Sequence, residues 1–144
     1  MGAMIYAVID TNILVSALIT HNQNASTVKI LESLYLHRFT PVYNDEIIAE
    51  YEEVLVRAKF KLSKEHVHSL IDTIKSIGID AVRIPYDCTM PDEGDLVFYE
   101  ISLSIEDSFL VTGNLKYFPN NPKVVTAAQM VGILGIEPDV EEST

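Results

Sequence analysis

The sequence predicts an α/β fold in which a mainly parallel sheet is covered by helices on both faces. Two observations support this: short apolar runs rich in strand-forming residues recur along the chain, and segments with helical periodicity separate them. Strands that alternate with helices are joined by right-handed crossovers and lie parallel in one sheet. A chain of 144 residues is long enough for one domain of the commonest size with a substantial core.

The beginning of the chain supplies the first strand and two helices. Residues 5–9 form a continuous apolar run, which is typical of a strand buried on both faces of a sheet. A helix is expected to follow over residues 11–18. Helical spacing resumes over residues 28–35, with Ser26 or Thr27 as the expected N-terminal cap. This segment therefore predicts one buried strand followed by two short helices.

The rest of the chain continues the alternation of strands and helices. Residues 40–43 form the second predicted strand, and Asn44 or Asp45 caps a helix whose apolar positions fall on one face. The remaining elements are helices at 64–77, 95–104 and 127–134 and strands at 80–84, 108–112 and 124–125. We expect residues 1–136 to form the domain and residues 137–144 to form an acidic tail.

Composition narrows the classes of function. The formal net charge of -11, from 21 acidic and 10 basic residues, argues against nonspecific nucleic-acid binding, so any such activity must be local. No apolar run is long enough to span a bilayer. The single cysteine, Cys88, cannot form an internal disulfide, in keeping with a reducing compartment. We therefore expect a soluble cytoplasmic protein without a membrane partner.

The charged residues are unevenly distributed. Lys and Arg are absent from residues 84 through 115, a stretch that contains many acids. Four of the ten basic residues fall instead in one short stretch, namely Arg57, Lys59, Lys61 and Lys64. This basic stretch either contacts nucleic-acid phosphates or is a solvated helix end whose cations complement the helix dipole.

Acidic or amide residues follow each of the first four predicted strands. Asp10 follows the first strand, Asn44 the second, a loop ending at Asp95 the third, and Asn114 the fourth. In open parallel sheets, active sites gather outside the carboxyl ends of the strands. We therefore expect a functional site at this edge of the sheet.

Each candidate acid also has a simpler structural explanation. Asp10 could merely cap the helix that follows it. Glu50 lies at one boundary of its helix's apolar face, but Glu52 lies at the other and both could be solvated. Asp95 could complement a helix dipole, which is worth about 0.3–1 kcal/mol. The histidines, including His21, are scattered without the spacing of a zinc site, so we expect them to be surface or structural residues.

Convergence of the acids would predict a bound cation. Two carboxylates about 4 Å apart repel by about 4 kcal/mol at an effective dielectric constant of about 20. This is large against a domain stability of about 5–15 kcal/mol. Hard oxygen ligands from Asp10, Glu50 and Asp95 suit Mg²⁺ or Mn²⁺. Such an ion can activate water and position a phosphodiester.

Four segments, taken together and in order, resemble the motifs of the PIN-domain family. They are Val8-Ile9-Asp10-Thr11-Asn12, Asp45-Glu46-Ile47-Ile48-Ala49-Glu50, Asp92-Glu93-Gly94-Asp95 and Leu110-Val111-Thr112-Gly113-Asn114. Glu50 and Asp95 match metal-binding acids of the second and third motifs. With the residues that follow them, the four motifs extend from Ala7 to Pro119 and so span most of the chain.

The resemblance implies a three-layer α/β/α sandwich and a Mg²⁺- or Mn²⁺-dependent endoribonuclease. The residues that it implies to be catalytic are Asp10, Glu50, Asp95 and Asn114. The first three would hold the metal, with Asn12 and Thr112 in support, and the basic stretch would contact RNA. Many small family members are toxins of toxin–antitoxin pairs, and this chain is similar to a branch described as toxins. The implied partners are therefore RNA and a cognate antitoxin, and a homo-oligomer stays open.

Asn114 departs from the family pattern, because many relatives carry a fourth aspartate there. The number of metal ions therefore stays open, and so does one alternative: a catalytically weak or inactive PIN-like module that binds RNA or protein. A second alternative is an aspartate-based phosphotransfer or phosphatase domain with Asp10 as nucleophile. The phosphatases of this kind have a second acid two residues later, where this chain has Asn12.

Overall fold

The computed structural model describes residues 4–87 and 93–136. Cys88, Asp92 and the predicted tail at 137–144 lie outside these ranges. Five parallel strands form one sheet in the order β3-β2-β1-β4-β5. The strands are β1 (Tyr6–Ile9), β2 (Thr40–Tyr43), β3 (Ile79–Asp80), β4 (Phe109–Val111) and β5 (Val124–Val125).

Six α-helices accompany the sheet within the described ranges. They are α1 (Thr11–Ile19), α2 (Ser26–Tyr35), α3 (Asp45–Leu55), α4 (Lys64–Ile77), α5 (Glu93–Leu103) and α6 (Ala127–Ile133). Helix α2 packs between α1 and α6, α3 packs on α4, and α5 contacts β1, β2 and β4. The predicted three-layer α/β/α sandwich with a parallel sheet is confirmed. None of the helices described is long and apolar enough to cross a membrane.

Strand β1 occupies the centre of the sheet, as its continuous apolar run predicts. Ala7, Val8 and Ile9 are buried, and β1 pairs in parallel with β2 on one side and with β4 on the other. A central parallel strand is covered on both faces, which is why every residue of the run can be apolar.

Helix α4 shows how the sequence sets an element's length. Its buried residues Val67, Leu70, Ile71 and Ile74 recur at intervals of three and four, so one face of the helix packs on the core. The helix stops at Gly78, as predicted. A Cβ atom at Gly78 would lie 2.5 Å from a backbone carbonyl oxygen of the neighbouring strand β2, so no other residue fits without a shift.

Two local predictions were wrong. The third strand was expected over residues 80–84 but ends at Asp80. The Ala81 amide still donates to the Tyr43 carbonyl on β2, but the Ile84 amide donates to the Glu100 carbonyl on α5 and not to the sheet. The cap of α2 is Ala25, without a side-chain hydrogen bond, and not Ser26 or Thr27. The Thr27 hydroxyl is hydrogen-bonded to the Ser16 hydroxyl instead.

The strand order creates a cleft beside β1. The chain leaves β1 towards β2 on one side, whereas β4, on the other side of β1, leads to β5. Connections that diverge from adjacent strands leave a crevice at the carboxyl ends of those strands. The carboxyl ends of β1 and β4 are therefore where a ligand site is expected.

Candidate active site

A cleft of about 970 Å³ opens at the carboxyl end of β1, between α1 and α3. Asp10, Glu50 and Asp95 all line it, although they come from three different elements of the chain. Its apolar wall consists of Val15, Ile19, Val54 and Phe60, and polar side chains lie beside this wall. The cleft therefore combines an acidic part with an apolar part.

Asp10 is buried at the end of β1, where it occupies the N-cap position of α1. Its side chain makes no capping hydrogen bond, so the capping explanation does not account for it. The carboxylate instead accepts a hydrogen bond from the Thr112 hydroxyl at 2.7 Å and one from the Asn12 amide at 3.3 Å. Hydrogen bonds from two sides therefore hold the Asp10 carboxylate.

Asn12 and Thr112 link the ends of the two central strands. Thr112 is fully buried, and its hydroxyl accepts a hydrogen bond from the Asn114 amide while it donates to Asp10. The Asn12 side-chain oxygen accepts a hydrogen bond from the Gly113 amide at 3.2 Å. Both residues thus connect the turn after β4 to the start of α1.

Glu50 and Asp95 are half-buried and reach the cleft from two helices. Asn44 is the N-cap of α3, one of the two predicted caps, and its side-chain oxygen accepts a hydrogen bond from the Ile47 amide at 2.9 Å. Asp95 lies in the first turn of α5, where a carboxylate also complements the helix dipole. For Asp95 the structural and functional explanations are compatible.

Asp10, Glu50 and Asp95 share a cleft, but their side chains are not arranged as a complete set of metal ligands. Over residues 4–87 and 93–136, no group of three or more His, Cys, Asp or Glu side chains is arranged as a metal site. The donor chemistry nevertheless fits Mg²⁺ or Mn²⁺, which bind through one or two carboxylates and keep several waters.

Asn114 lies apart from this group. It is an exposed residue at the start of the 3-10 turn Leu115–Tyr117, and it is not among the residues that line the cleft. Its backbone amide donates to Thr112, which in turn donates to Asp10. A catalytic role for the Asn114 side chain stays a prediction.

The predicted basic stretch divides into one cleft residue and three exposed lysines. Arg57 lines the cleft and donates to both carboxylate oxygens of Glu53, one turn earlier on α3. Lys59, Lys61 and Lys64 are exposed and outside the cleft lining. Helix-dipole compensation cannot explain Lys64, because Lys64 begins α4 and a helix N-terminus is itself positive.

His21 lies at the surface, as one of the two expectations for it had it, and it also lines the cleft. It is exposed and follows α1, the helix that begins directly after Asp10. The sequence signal that could have identified it is this placement in the polar loop after α1. The spacing of His21 from the other histidines gave no indication that it would line the cleft.

An ion network between α3 and α5 was also missed. Arg83 donates to Glu100 on α5 at 2.7 Å and to Glu46 on α3 at 2.8 Å, and the second oxygen of Glu100 accepts from the Tyr86 amide. Burial lowers the pKa of Arg83, but hydrogen bonds and charges from Glu100 and Glu46 outweigh this effect, so the pKa is raised overall. Arg83 therefore joins the two helices that carry Glu50 and Asp95.

An α/β/α domain with acids gathered beside its central strand belongs to the broad class of proteins whose sites lie at the carboxyl edge of a parallel sheet. Comparison with known families is more specific, because the family described as PIN domain matches residues 6–116. The chain belongs to the PIN-domain family. PIN domains are generally nucleases, and PIN nucleases typically use divalent metals.

A solved structure has a similar fold. It is the crystal structure of VapBC2 from Rickettsia felis bound to a DNA fragment from their promoter. A chain of that structure matches with a TM-score of 0.53 and 23% sequence identity, covering 85% of this chain and 97% of that chain. No curated protein matches the chain. The structural likeness, at this identity, supports the fold.

Proposed function

We propose that this PIN domain is a Mg²⁺- or Mn²⁺-dependent endoribonuclease and the toxin of a toxin–antitoxin pair. The observation that carries the proposal is the shared cleft: Asp10, Glu50 and Asp95 line one cavity although they lie far apart in the sequence. The volume of about 970 Å³ is within the range of small-molecule sites, and it would accommodate a nucleotide unit of a longer strand.

Asp10, Glu50 and Asp95 would hold the metal ion. The bound ion would supply an activated water and stabilise the charge of the phosphodiester. Thr112 and Asn12 would fix the Asp10 carboxylate through their hydrogen bonds, so that its orientation does not depend on the ligand. Groups held in advance need little rearrangement during the reaction, which is where much of the catalytic advantage of preorganised sites arises.

Cations in and near the cleft would contact the RNA backbone. Arg57 lies in the cleft lining, and the exposed Lys59, Lys61 and Lys64 follow it along the chain. Because the whole chain carries a formal charge of -11, attraction of RNA must depend on such local cations. Replacing Lys59 and Lys61 by Gln should flatten the salt dependence of RNA binding and leave Mn²⁺ affinity unchanged.

We propose one tightly held ion, since Asn114 supplies no charge where many relatives carry an acid. A pair of ions about 3.5–4 Å apart needs more negative ligands than three carboxylates provide. Asn114→Asp should then tighten Mn²⁺ binding if position 114 reaches the metal. Titration calorimetry decides the matter, because equal affinity and stoichiometry for both proteins would exclude position 114 from the metal site.

The proposed protein partner is a cognate antitoxin. The similar crystal structure is described as VapBC2, and for the present chain the apolar wall of the cleft offers a surface that a protein could cover. A homo-oligomer stays a prediction that light scattering would test. The single cysteine is in keeping with the cytoplasm as the proposed location.

A nuclease assay with matched variants of α3 tests the proposed activity. Glu50→Gln should lose RNA cleavage, whereas Glu52→Gln should keep it, since Glu52 is exposed on the same helix and lies outside the cleft lining. EDTA should abolish cleavage by the wild type, and Mn²⁺ should restore it. Cleavage that survives EDTA, or that falls equally in both variants, would contradict the proposal.

The two alternatives predict different outcomes. A binding module without turnover would bind Mn²⁺ and RNA but would not cleave RNA. A phosphotransfer domain would form a phosphorylated Asp10 with a phosphoryl donor. The Asn12 amide donates to Asp10, whereas the phosphatases considered above carry an acid at that position, so the structure favours the nuclease over this second alternative.

A further inference from the structure

Three elements contribute acids to the cleft. Tyr51 lies on one of them, α3, and contacts the other two, β1 and α5. It is 2% exposed and follows Glu50 on α3. Its hydroxyl reaches the end of β1, and its ring packs on α5. These contacts suggest a role beyond filling the core.

The Tyr51 hydroxyl fixes the peptide group that leads into Asp10. It donates to the Ile9 carbonyl oxygen at 2.5 Å, while the Asp10 amide of the same peptide group donates to the Val111 carbonyl oxygen at 2.9 Å. Because a peptide group is planar, two bonds on opposite sides fix its orientation. The position of the Asp10 Cα atom, from which the side chain starts, is thereby fixed as well.

The Tyr51 hydroxyl lies in a buried environment. Burial first, and the nearby charges of Asp10 and Glu50 second, raise the pKa of Tyr51 well above its usual range. The hydroxyl also gives the buried Ile9 carbonyl oxygen, at the end of β1, a hydrogen-bond donor.

The ring of Tyr51 provides the third connection. It lies 6.3 Å from the ring of Phe98, centroid to centroid, with the two planes inclined at 49°. Phe98 is on α5, nearly one turn after Asp95. A shift of the Tyr51 ring would therefore be transmitted to the helix that carries Asp95.

We propose that Tyr51 is the positioning residue of the cleft, holding β1, α3 and α5 so that Asp10, Glu50 and Asp95 face one ligand. The proposal rests on the proposed function, in which these acids hold the metal. Tyr51 acts through the acids and need not touch the metal or the RNA.

Tyr43 supplies a matched control. It is also a buried tyrosine whose hydroxyl donates to a backbone carbonyl, that of Lys75 at 3.2 Å, but this bond joins β2 to α4 and lies outside the cleft lining. Tyr51→Phe and Tyr43→Phe each remove one hydroxyl and keep the ring. Both should fold and melt a few degrees below the wild type in EDTA.

Mn²⁺ titration and amide hydrogen exchange distinguish a positioning role from a stabilising one. Tyr51→Phe should weaken Mn²⁺ binding about tenfold, as expected for an outer partner of a metal ligand, and Tyr43→Phe by less than about twofold. Exchange at the Asp10 amide should accelerate in Tyr51→Phe alone. Phe98→Leu, which removes the ring contact, should weaken Mn²⁺ binding in the same direction.

The experiments distinguish failure of the proposed function from failure of the positioning role of Tyr51. If the wild type binds no Mn²⁺, the proposed function is wrong, and exchange at Asp10 still reports whether Tyr51 fixes that residue. If Tyr51→Phe binds Mn²⁺ like the wild type and its Asp10 amide exchanges no faster than in Tyr43→Phe, the positioning role is overturned and Tyr51 contributes to stability alone.

Discussion

Asp10 and Glu100 are both almost fully buried carboxylates, with exposures of 6% and 5%, yet their environments differ. Glu100 accepts from the Arg83 guanidinium and from the Tyr86 amide, each at 2.7 Å. Asp10 accepts from the hydroxyl of Thr112 and the amide of Asn12. The Arg83 guanidinium pairs with Glu100 outside the cleft lining, and the Thr112 hydroxyl and the Asn12 amide orient Asp10 within it.

This difference separates structural acids from acids suited to a ligand. An ion pair satisfies the charge of Glu100, and the same arginine ties α5 to α3 through Glu46. Thr112 on the turn after β4 and Asn12 on α1 hold the Asp10 carboxylate in the lining of the cleft, whereas Glu100 faces Arg83 and lies outside that lining. On this basis Asp10 is the better candidate for a metal ligand, although both acids are buried.

Exchanging each acid for its amide should give the largest contrast between the two. Asp10→Asn should reduce RNA cleavage by more than about 100-fold, because even partners outside the ligand shell are worth about 10–100-fold. It should also lose most of the rise in melting temperature that Mn²⁺ produces in the wild type. Glu100→Gln should instead melt lower and keep its cleavage rate per folded molecule. Equal loss of RNA cleavage in both variants would contradict the assignment of Asp10 as a ligand-binding acid and Glu100 as a structural one.

Removal of the Arg83 guanidinium should mainly affect the stability of the fold. Arg83→Met leaves Glu100 buried without its guanidinium, and we expect the free energy of unfolding to fall by about 2–3 kcal/mol. This is below the value for a fully buried pair because the Arg83 side chain is 32% exposed. The control is Arg57→Met, whose exposed pair with Glu53 should contribute less than about 1 kcal/mol. Urea unfolding measures both, and similar values would contradict the assignment.

A smaller effect is expected from the hydroxyl that orients Asp10. Thr112→Val keeps the shape of the side chain but removes the donor to Asp10, and should weaken Mn²⁺ binding by about tenfold. Thr112→Ser retains the hydroxyl and should bind Mn²⁺ nearly as the wild type does. Calorimetric titration of the two variants checks the result. Equal affinities would show that this hydrogen bond does not orient Asp10.

The smallest effect concerns a titratable group outside both regions. Burial first, then the charges of Asp80 and Asp45, raise the pKa of Tyr43. Above about pH 10 the unfolded chain loses this proton while the folded chain keeps it, so stability falls with rising pH, by at most about 1.4 kcal/mol per pH unit. Tyr43→Phe should show a shallower alkaline loss in urea unfolding between pH 9 and 11. An unchanged slope would show that Tyr43 does not titrate differently on folding.

Local patterns predicted much of the fold. The apolar run of β1, the Asn44 cap and the stop at Gly78 were all readable, because each depends on neighbours in the sequence. The order of the strands agrees with a site at the carboxyl ends. The third strand was predicted too long, because the Arg83 side chain and the Ile84 and Tyr86 amides bond to Glu100, which is too far along the chain to influence a local pattern.

The contacts that organise the cleft could not be predicted in the same way. The Tyr51 hydroxyl bonds to a carbonyl 42 positions away, and Thr112 bonds to Asp10 across 102 positions. Such pairs leave no periodicity, and a tyrosine on an apolar helix face resembles any core residue. Positions after predicted strands identified Asp10 and Asp95 as candidates, and resemblance to family motifs supported both and added weight to Glu50. Neither kind of evidence pointed to Tyr51, Arg83 or His21.

The long separation of Thr112 from Asp10 has a consequence for biosynthesis. Strand β1 lies near the start of the chain, yet its neighbour β4, and with it the Thr112 hydroxyl, is made about a hundred residues later. Contacts so distant in sequence form late, after the loop between them has closed. A nascent chain that ends before Thr112 therefore lacks the hydroxyl that orients Asp10. The complete cleft can exist only after Thr112 has been made.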